Sequence, residues 1–332
     1  MISGLDNLNM QPLISVCIPV FNGDNFIREA LDSILNQTEK NFELLVVDNC
    51  SKDQTLNIVA EYKDPRIRVF INEWNLGIVP NFNRCIELAK GELIVLLPHD
   101  DVLMPTALEV FSKALVSDSE VGLAYSSYYI IDERGKKLYL SSGDAEDKVM
   151  TGKEAFALLA GGNPIQCAMV RREIHALLGL WDENLRLVSD WEMWCRIALS
   201  GYKVAYFKTP QNCYRLHSSN AYKSFLRNNE FSSEIFKGMK KIYNSMSSHS
   251  DLQKFRPLSA KWIFRSQIKH LIVSIKSRNW TDVKRDVDLL AKIVRWAGVI
   301  RMIPVLLKMP FELIKRLAKR LFGKFKRLPA NI

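Results

Sequence analysis

The chain has 332 residues, of which 48% are hydrophobic and 25% charged, enough apolar content to bury a core and too much for a disordered chain. Six cysteines stand singly at 17, 50, 85, 167, 195 and 213, with no CxxC pair, which argues against a structural zinc ribbon or a disulfide scaffold. The opening MISGLDNLNMQPLIS lacks the basic-then-apolar form of a signal peptide, and no run of 18 uncharged apolar residues occurs, so secretion and a bilayer-spanning helix are not expected. The net charge of +10 is unevenly placed: residues 221–332 hold 25 Lys and Arg against 7 Asp and Glu, a local +18 on a mildly acidic remainder. Such asymmetry points to an anionic partner for the basic segment.

In chain order, LISVCIPV (13–20) reads as a buried strand and residues 24–36 as a helix. FELLVVD (42–48) is a second strand, followed by a helix from about Asp53. IRVFIN (67–72) is a third strand, followed by a helix through Asn83 to Ala89. ELIVLLP (92–98) is a fourth strand, with a helix from Pro105. Continuous apolar strands separated by helices predict an α/β fold, a mostly parallel sheet covered on both faces, with the strand C-termini along one ligand-binding edge. Residues 132–150 are polar and read as a surface excursion. Helical segments near 152–160 and 190–200 alternate with strand-like pieces near 165–170, 203–207 and 212–216. Composition and charge change together near 218–224, which predicts two regions, 1–222 and 223–332. The second reads as helices over 223–246, 255–277 and 280–296, with one or two more over 297–327.

Each of the four strands ends in a polar cluster. These are Pro19-Val20-Phe21-Asn22; Asp48-Asn49-Cys50-Ser51-Lys52-Asp53; Asn75-Leu76-Gly77 with Asn81; and His99-Asp100-Asp101. Each cluster alone also reads as ordinary turn chemistry, and Asp53 as a helix cap. Together they fall on one predicted edge. A carboxylate such as Asp48 can accept from a base or ribose donor, Phe21 and Asn22 can wall a nucleobase, and Asp100-Asp101 offers hard oxygen ligands to Mg²⁺ or Mn²⁺ beside a diphosphate. Neither GxxxxGK[ST] nor GxGxxG occurs, so a metal–carboxylate site is the natural way to hold phosphates.

The runs ISVCIPVFN and VVDNCSKDQT, the NLG, the HDD followed by Pro105, and SDWEMW together resemble glycosyltransferase family 2 over roughly residues 12–218. The resemblance implies a GT-A fold: a nucleotide-sugar-binding, Rossmann-like half joined to an acceptor-binding half. It also implies an inverting transferase with a nucleotide-diphosphate sugar donor and a divalent metal cofactor, Mn²⁺ or Mg²⁺. Carried over residue by residue, Pro19, Phe21, Asn22, Asp48, Asn49, Ser51, Asp53, Asn75 and Gly77 would surround the nucleotide. Asp100 would bind the metal, and Asp101 would support the site or face the acceptor. Asp190 would be the catalytic base, with the adjoining Trp191 as an acceptor contact. Arg215 and His217 match a late segment that folds back on the diphosphate and the metal. Pro98 stands where the family often has an aspartate, Asn49-Cys50 where Asp-Gly is common, and Ser189 where Glu is frequent.

Alternatives exist at single residues. Asp190 could cap its helix, Trp191 and Trp194 could be packing residues, and His217 could make a structural hydrogen bond. Under the family reading, Asp190 deprotonates an acceptor hydroxyl as the donor's anomeric bond breaks, and Arg215 and the metal stabilise the departing diphosphate. The expected donor is a UDP-sugar, and the expected acceptor a saccharide, such as one linked to polyprenyl diphosphate or a growing surface polysaccharide. Residues 291–328 carry eleven basic residues and one acid, and Phe311, Ile314, Leu317, Leu321 and Phe325 recur at helical steps. This predicts docking on an anionic membrane surface from the cytoplasmic side; a helix packed on the catalytic domain is the competing reading. Two other classes compete. A nucleic-acid-binding protein would use the basic tail, but its apolar residues sit at helical spacing rather than as interleaved aromatics, so no nucleic-acid partner is expected. A nucleotidyltransferase would want a Gly-rich phosphate loop.

Overall fold

A computed structural model describes residues 13–141, 143–220, 231–245 and 250–298. The chain divides into two compact units: residues 1–156 with 163–220, and residues 157–162 with 221–332.

The first unit is built on a ten-stranded mixed sheet. β1 (Ile14–Val20) and β2 (Phe42–Asp48) are buried along their whole length, which is why both appear in the sequence as unbroken apolar runs. β1 pairs in parallel with β2 and with β4 (Leu93–Leu96), and β2 pairs in parallel with β3 (Ile67–Ile71), the edge strand, whose Val69 and Ile71 are exposed. Three helices cross between these strands: α1 (Ile27–Leu35), α2 (Thr55–Ala60) and α3 (Ile78–Leu88). α1 buries Ile27, Ala30, Leu31 and Ile34, an i, i+3, i+4 stripe, against the sheet. The predicted α/β fold with a mostly parallel first half is what forms.

Beyond β4 lie the short β5 (Val102–Leu103), α4 (Ala107–Ser117) and β6 (Val121–Ile131). The strand order is β3-β2-β1-β4-β9-β6-β10-β5, where β9 is Ala168–Arg171 and β10 is Lys203–Arg215. β9 runs antiparallel between β4 and β6, and so joins the parallel half to the rest of the sheet. β10 is one strand rather than the two predicted pieces; its pairing with β6 shifts register between Phe207 and Asn212, where Lys208, Thr209 and Pro210 interrupt the apolar pattern. The excursion at 132–150 contributes β7 (Lys137–Leu140), paired with β6, and β8 (Lys148–Met150), paired with β10. α5 (Gly152–Leu159), α6 (Arg172–Leu178) and α7 (Ser189–Leu199) complete the series.

The second unit holds α8 (Phe231–Ser245), a 3₁₀ turn at Ser250–Phe255, α9 (Arg256–Lys276) and α10 (Trp280–Ala297). Its buried apolar residues include Ile242, Phe264, Leu271, Leu290 and Ile293. Asp286 is buried and accepts from Gln267 Nε2 at 2.8 Å and Ser274 Oγ at 2.9 Å, which ties α10 to α9. Among the described residues no helix is long and apolar enough to cross a membrane. The amphipathic stretch from Phe311 and most of the basic segment 291–328 lie outside the described residues.

Candidate active site

The C-terminal ends of β1 and β2 are tied together by reciprocal bonds from the polar residues that follow them. Asn22 N donates to Ser51 Oγ (2.9 Å), Lys52 N to Asn22 Oδ1 (2.9 Å), and Gly23 N to Thr55 Oγ1 (2.8 Å). Asn22 has φ 49, a left-handed conformation that asparagine tolerates better than most residues, and Cys50 has φ 66, where a glycine would be unstrained. Phe21 is exposed beside them. Asp53 accepts from Thr55 N, Thr55 Oγ1 and Asp24 N. Partial burial raises its pKa, but these bonds outweigh burial and hold the carboxyl below the usual range. Its position is that of a loop anchor.

Asp48, the last residue of β2, is fully buried. Its Oδ2 accepts from Ser51 N at 2.9 Å, while Oδ1 is buried with no hydrogen-bond partner among the described residues. Around it runs an asparagine lattice. Asn49 Nδ2 donates to Asn75 Oδ1 (2.9 Å) and Gly77 O (3.1 Å), and its Oδ1 accepts from Leu76 N (2.9 Å) and Asn72 Nδ2 (3.1 Å). Asn72 Nδ2 also donates to Asn81 Oδ1 (2.8 Å). Gly77 sits at φ 93, a conformation that costs other residues strain, and this turn delivers the chain into α3.

At the end of β4, Asp100 Oδ2 accepts from His217 Nε2 at 2.8 Å and from Asn220 Nδ2 at 3.3 Å. Burial raises the Asp100 pKa, but the His217 bond and the neighbouring His99 hold it below the ordinary value. His217 Nδ1 pairs with Ser219 Oγ at 2.9 Å, and its ring lies 4.8 Å from that of Phe26. Asp101 is buried and its Oδ1 accepts from Arg215 N at 2.9 Å; Gln166 and Arg215 oppose the shift, but burial beside Asp100 pushes its pKa well up. It supports the Asp100 loop from inside.

Two expected contacts stand elsewhere. Arg215, expected on the diphosphate, is 1% exposed. Its guanidinium donates to the carbonyls of Asp100 (2.8 Å), Asp132 and Glu133 (both 3.3 Å) and pairs with Glu29 on α1, so it clamps the Asp100 loop from behind. Trp191, expected against the acceptor, is also 1% exposed and belongs to the core; Trp194 is buried too, edge-on to Trp181. Trp181 in turn is fixed to α3 by Asn83, which accepts from Trp181 N and donates to Trp181 O.

Asp190 lies in the first turn of α7 and keeps part of its surface exposed. Oδ1 accepts from Trp191 N at 2.6 Å and Oδ2 from Asn163 Nδ2 at 3.0 Å. Burial of the carboxyl nevertheless dominates and pushes its pKa up to about 6. A carboxylate so poised is suited to taking a proton near neutrality. Sequence reasoning had no sign of its partner Asn163 beyond an Asn-Pro turn signal, nor of Asn220 and Glu29, whose roles exist only in three dimensions.

Among the described residues no group of three or more His, Cys, Asp or Glu gathers as a ready metal cage. Asp100 Oδ2 and His217 Nε2 lie 2.8 Å apart; the nitrogen becomes a donor to a cation in the tautomer that places the ring proton on Nδ1, where Ser219 Oγ at 2.9 Å accepts it. Two protein ligands suit a Mg²⁺ or Mn²⁺ shared with substrate phosphates, which bring the remaining oxygens.

The chain matches the glycosyl transferase family 2 model over residues 15–178. An uncharacterized glycosyltransferase of Rickettsia typhi is 35% identical over 55% of this chain and 58% of its own length, so the chain spans little more than half of that relative. An uncharacterized glycosyltransferase of Methanocaldococcus jannaschii is 30% identical over 65% of this chain and 75% of its own. Among solved structures, S. aureus TarS 1–349 in complex with UDP-GlcNAc superposes with a TM-score of 0.71 at 18% identity, covering 94% of this chain and 88% of that one. A mannosyltransferase of Pyrobaculum calidifontis in complex with GDP-Man and Mn²⁺ superposes with a TM-score of 0.54 at 16% identity, covering 96% and 89%. The strand-end clusters, the GT-A-like sheet and these matches lead to one conclusion: the chain belongs to glycosyl transferase family 2.

Proposed function

We propose that the protein is an inverting glycosyltransferase that moves a sugar from a nucleotide-diphosphate sugar, a UDP-sugar in the first instance, to a hydroxyl of a saccharide acceptor. The observation that carries this reading is Asp190: a carboxyl in the first turn of a buried helix, bonded among the described residues by the neutral donors Trp191 N and Asn163 Nδ2, with its pKa raised to about 6. The acceptor hydroxyl gives its proton to Asp190 Oδ as its oxygen bonds to the anomeric carbon. The bond from that carbon to the diphosphate oxygen breaks on the opposite face, and the nucleoside diphosphate leaves with the electron pair. One displacement with one base inverts the anomeric centre and needs no covalent nucleophile.

Donor binding is assigned to the strand ends of β1, β2 and β4. The unpartnered Asp48 Oδ1 suits a ring N–H such as that of uracil, Phe21 covers the base, and the Asn49–Asn75–Gly77 lattice fixes the loop shape. The UDP-GlcNAc and GDP-Man bound to the two structural neighbours support a nucleotide-sugar donor, and the Mn²⁺ of the second supports a divalent cation. Asp100 and His217 would hold that cation, whose chemistry would be to neutralise the diphosphate as it leaves. The acceptor is proposed to be a surface-polysaccharide precursor on a polyprenyl diphosphate. The basic 221–332 region would then dock the chain, peripherally, on the inner face of the cell membrane; its charge of +18 supports this. A screen of UDP- and GDP-sugars for donor hydrolysis, with Mn²⁺ and with EDTA, tests the donor assignment. Cation-dependent release of UDP is the expected result, and inertness toward every nucleotide sugar would overturn it. Co-sedimentation with anionic liposomes tests the docking, and a chain truncated at about residue 296 should stay in the supernatant.

A further inference from the structure

We infer that Asn163 is a positioning residue for the Asp190 carboxyl, holding it ionised and aimed; the catalytic meaning of this rests on Asp190 being the base. Three features of the Gly-Asn-Pro-Ile turn fix the amide. Pro164 restricts the backbone of Asn163 to extended conformations. Asn163 Oδ1 accepts from Ile165 N at 3.1 Å, an Asx turn closed on its own chain. With the oxygen so engaged, only Nδ2 faces Asp190, and it donates to Oδ2 at 3.0 Å. The amide therefore cannot flip without losing both bonds, and it presents a donor, never an acceptor, to the carboxylate.

A donor of this kind favours the charged form of its partner. On the helix side, Trp191 N fixes Oδ1 at 2.6 Å, so the two oxygens are held from two different elements and the plane of the carboxyl is set. Two titratable groups of α7 lie close in sequence. Glu192 is buried and paired with Arg196, and Cys195, one turn along, is a buried thiol whose pKa burial pushes well up. Among the described residues no cation bonds Asp190. Among the described residues Asn163 is the side chain that opposes the desolvation of this carboxyl.

The test reads the carboxyl directly and needs no substrate. The full chain is labelled with ¹³Cγ-aspartate and titrated by NMR, with Asp190→Asn identifying the resonance. Removing a hydrogen bond to a charged group should raise the Asp190 pKa by about one unit in Asn163→Ala. Asn163→Asp can retain the Asx turn through its own oxygen while placing a second carboxylate against the first, and should raise it further. Unchanged titration of Asp190 in both variants, each shown folded by its amide spectrum, would overturn the inference. If Asp190 is also the base, the acid limb of kcat moves up in pH by the same amount while donor KM stays in place. A shifted titration without a shifted rate profile would leave the positioning intact and fault the base assignment instead.

Discussion

Replacing Arg215 by methionine separates two roles for a buried arginine. Methionine keeps most of the stem's volume and removes the fork. Four acceptors lose a donor: the carbonyls of Asp100, Asp132 and Glu133, and the carboxylate of Glu29. Glu29 is 53% exposed, so water replaces its partner and its contribution is small. The three carbonyls face a buried group, and at about 1 kcal/mol per lost bond the change costs roughly 3 kcal/mol. For a folded unit of about 200 residues that is a fall in Tm of roughly 6–12 °C by scanning calorimetry. Arg215→Lys should recover only part of it, because an ammonium cannot reach carbonyls on both the Asp100 and Asp132 loops. A Tm within 2 °C of wild type combined with lost UDP affinity would refute the clamp and put the guanidinium on the diphosphate.

Other consequences follow from the same geometry. Asp48→Asn turns an amide N–H toward either Ser51 N or the base, and should weaken UDP binding by roughly 10-fold or more in calorimetric titration, with little change in melting temperature. Asp100→Ala should remove the response of UDP binding to Mn²⁺; a retained metal response would move the cation elsewhere. Activity should fall as pH drops through about 6, because Asp190 must be ionised to accept a proton and its folded pKa is raised to about 6. Stability has the opposite sign. A raised carboxyl pKa means the folded state disfavours the anion, so Asp190 costs stability above its unfolded pKa of about 3.9. Asp190→Asn should therefore melt higher than wild type at pH 7.5, and the difference should shrink as pH falls from about 6 to 4.

The parallel half of the fold was legible because β1 and β2 are buried on both faces and carry no polar interruption. β6 was not separated from its surroundings, since its sequence VGLAYSSYYII mixes serines and tyrosines into the apolar run. β10 appeared as two strands because its irregularity falls on polar residues. Within the site, the strand-end clusters could be read as one edge because topology alone places them there. What a lone side chain does there could not be read. Arg215 looks like a phosphate ligand in sequence, and only the approach of Glu29, 186 positions away, shows it as a clamp. Trp191 follows Asp190 in sequence but points into the core, since adjacent residues of a helix do not share a face. Cys50 occupies a left-handed turn position without the glycine that would announce it.

The most direct test of the account is turnover by Asp190→Asn against wild type, with Mn²⁺ and the UDP-sugar that wild type hydrolyses fastest. The account predicts unchanged donor affinity and a kcat lower by about 10²-fold or more, the usual cost of losing a general base. Near-normal turnover at pH 7 in a variant that binds donor as wild type does would contradict it and leave Asp190 a structural residue of the first turn of α7.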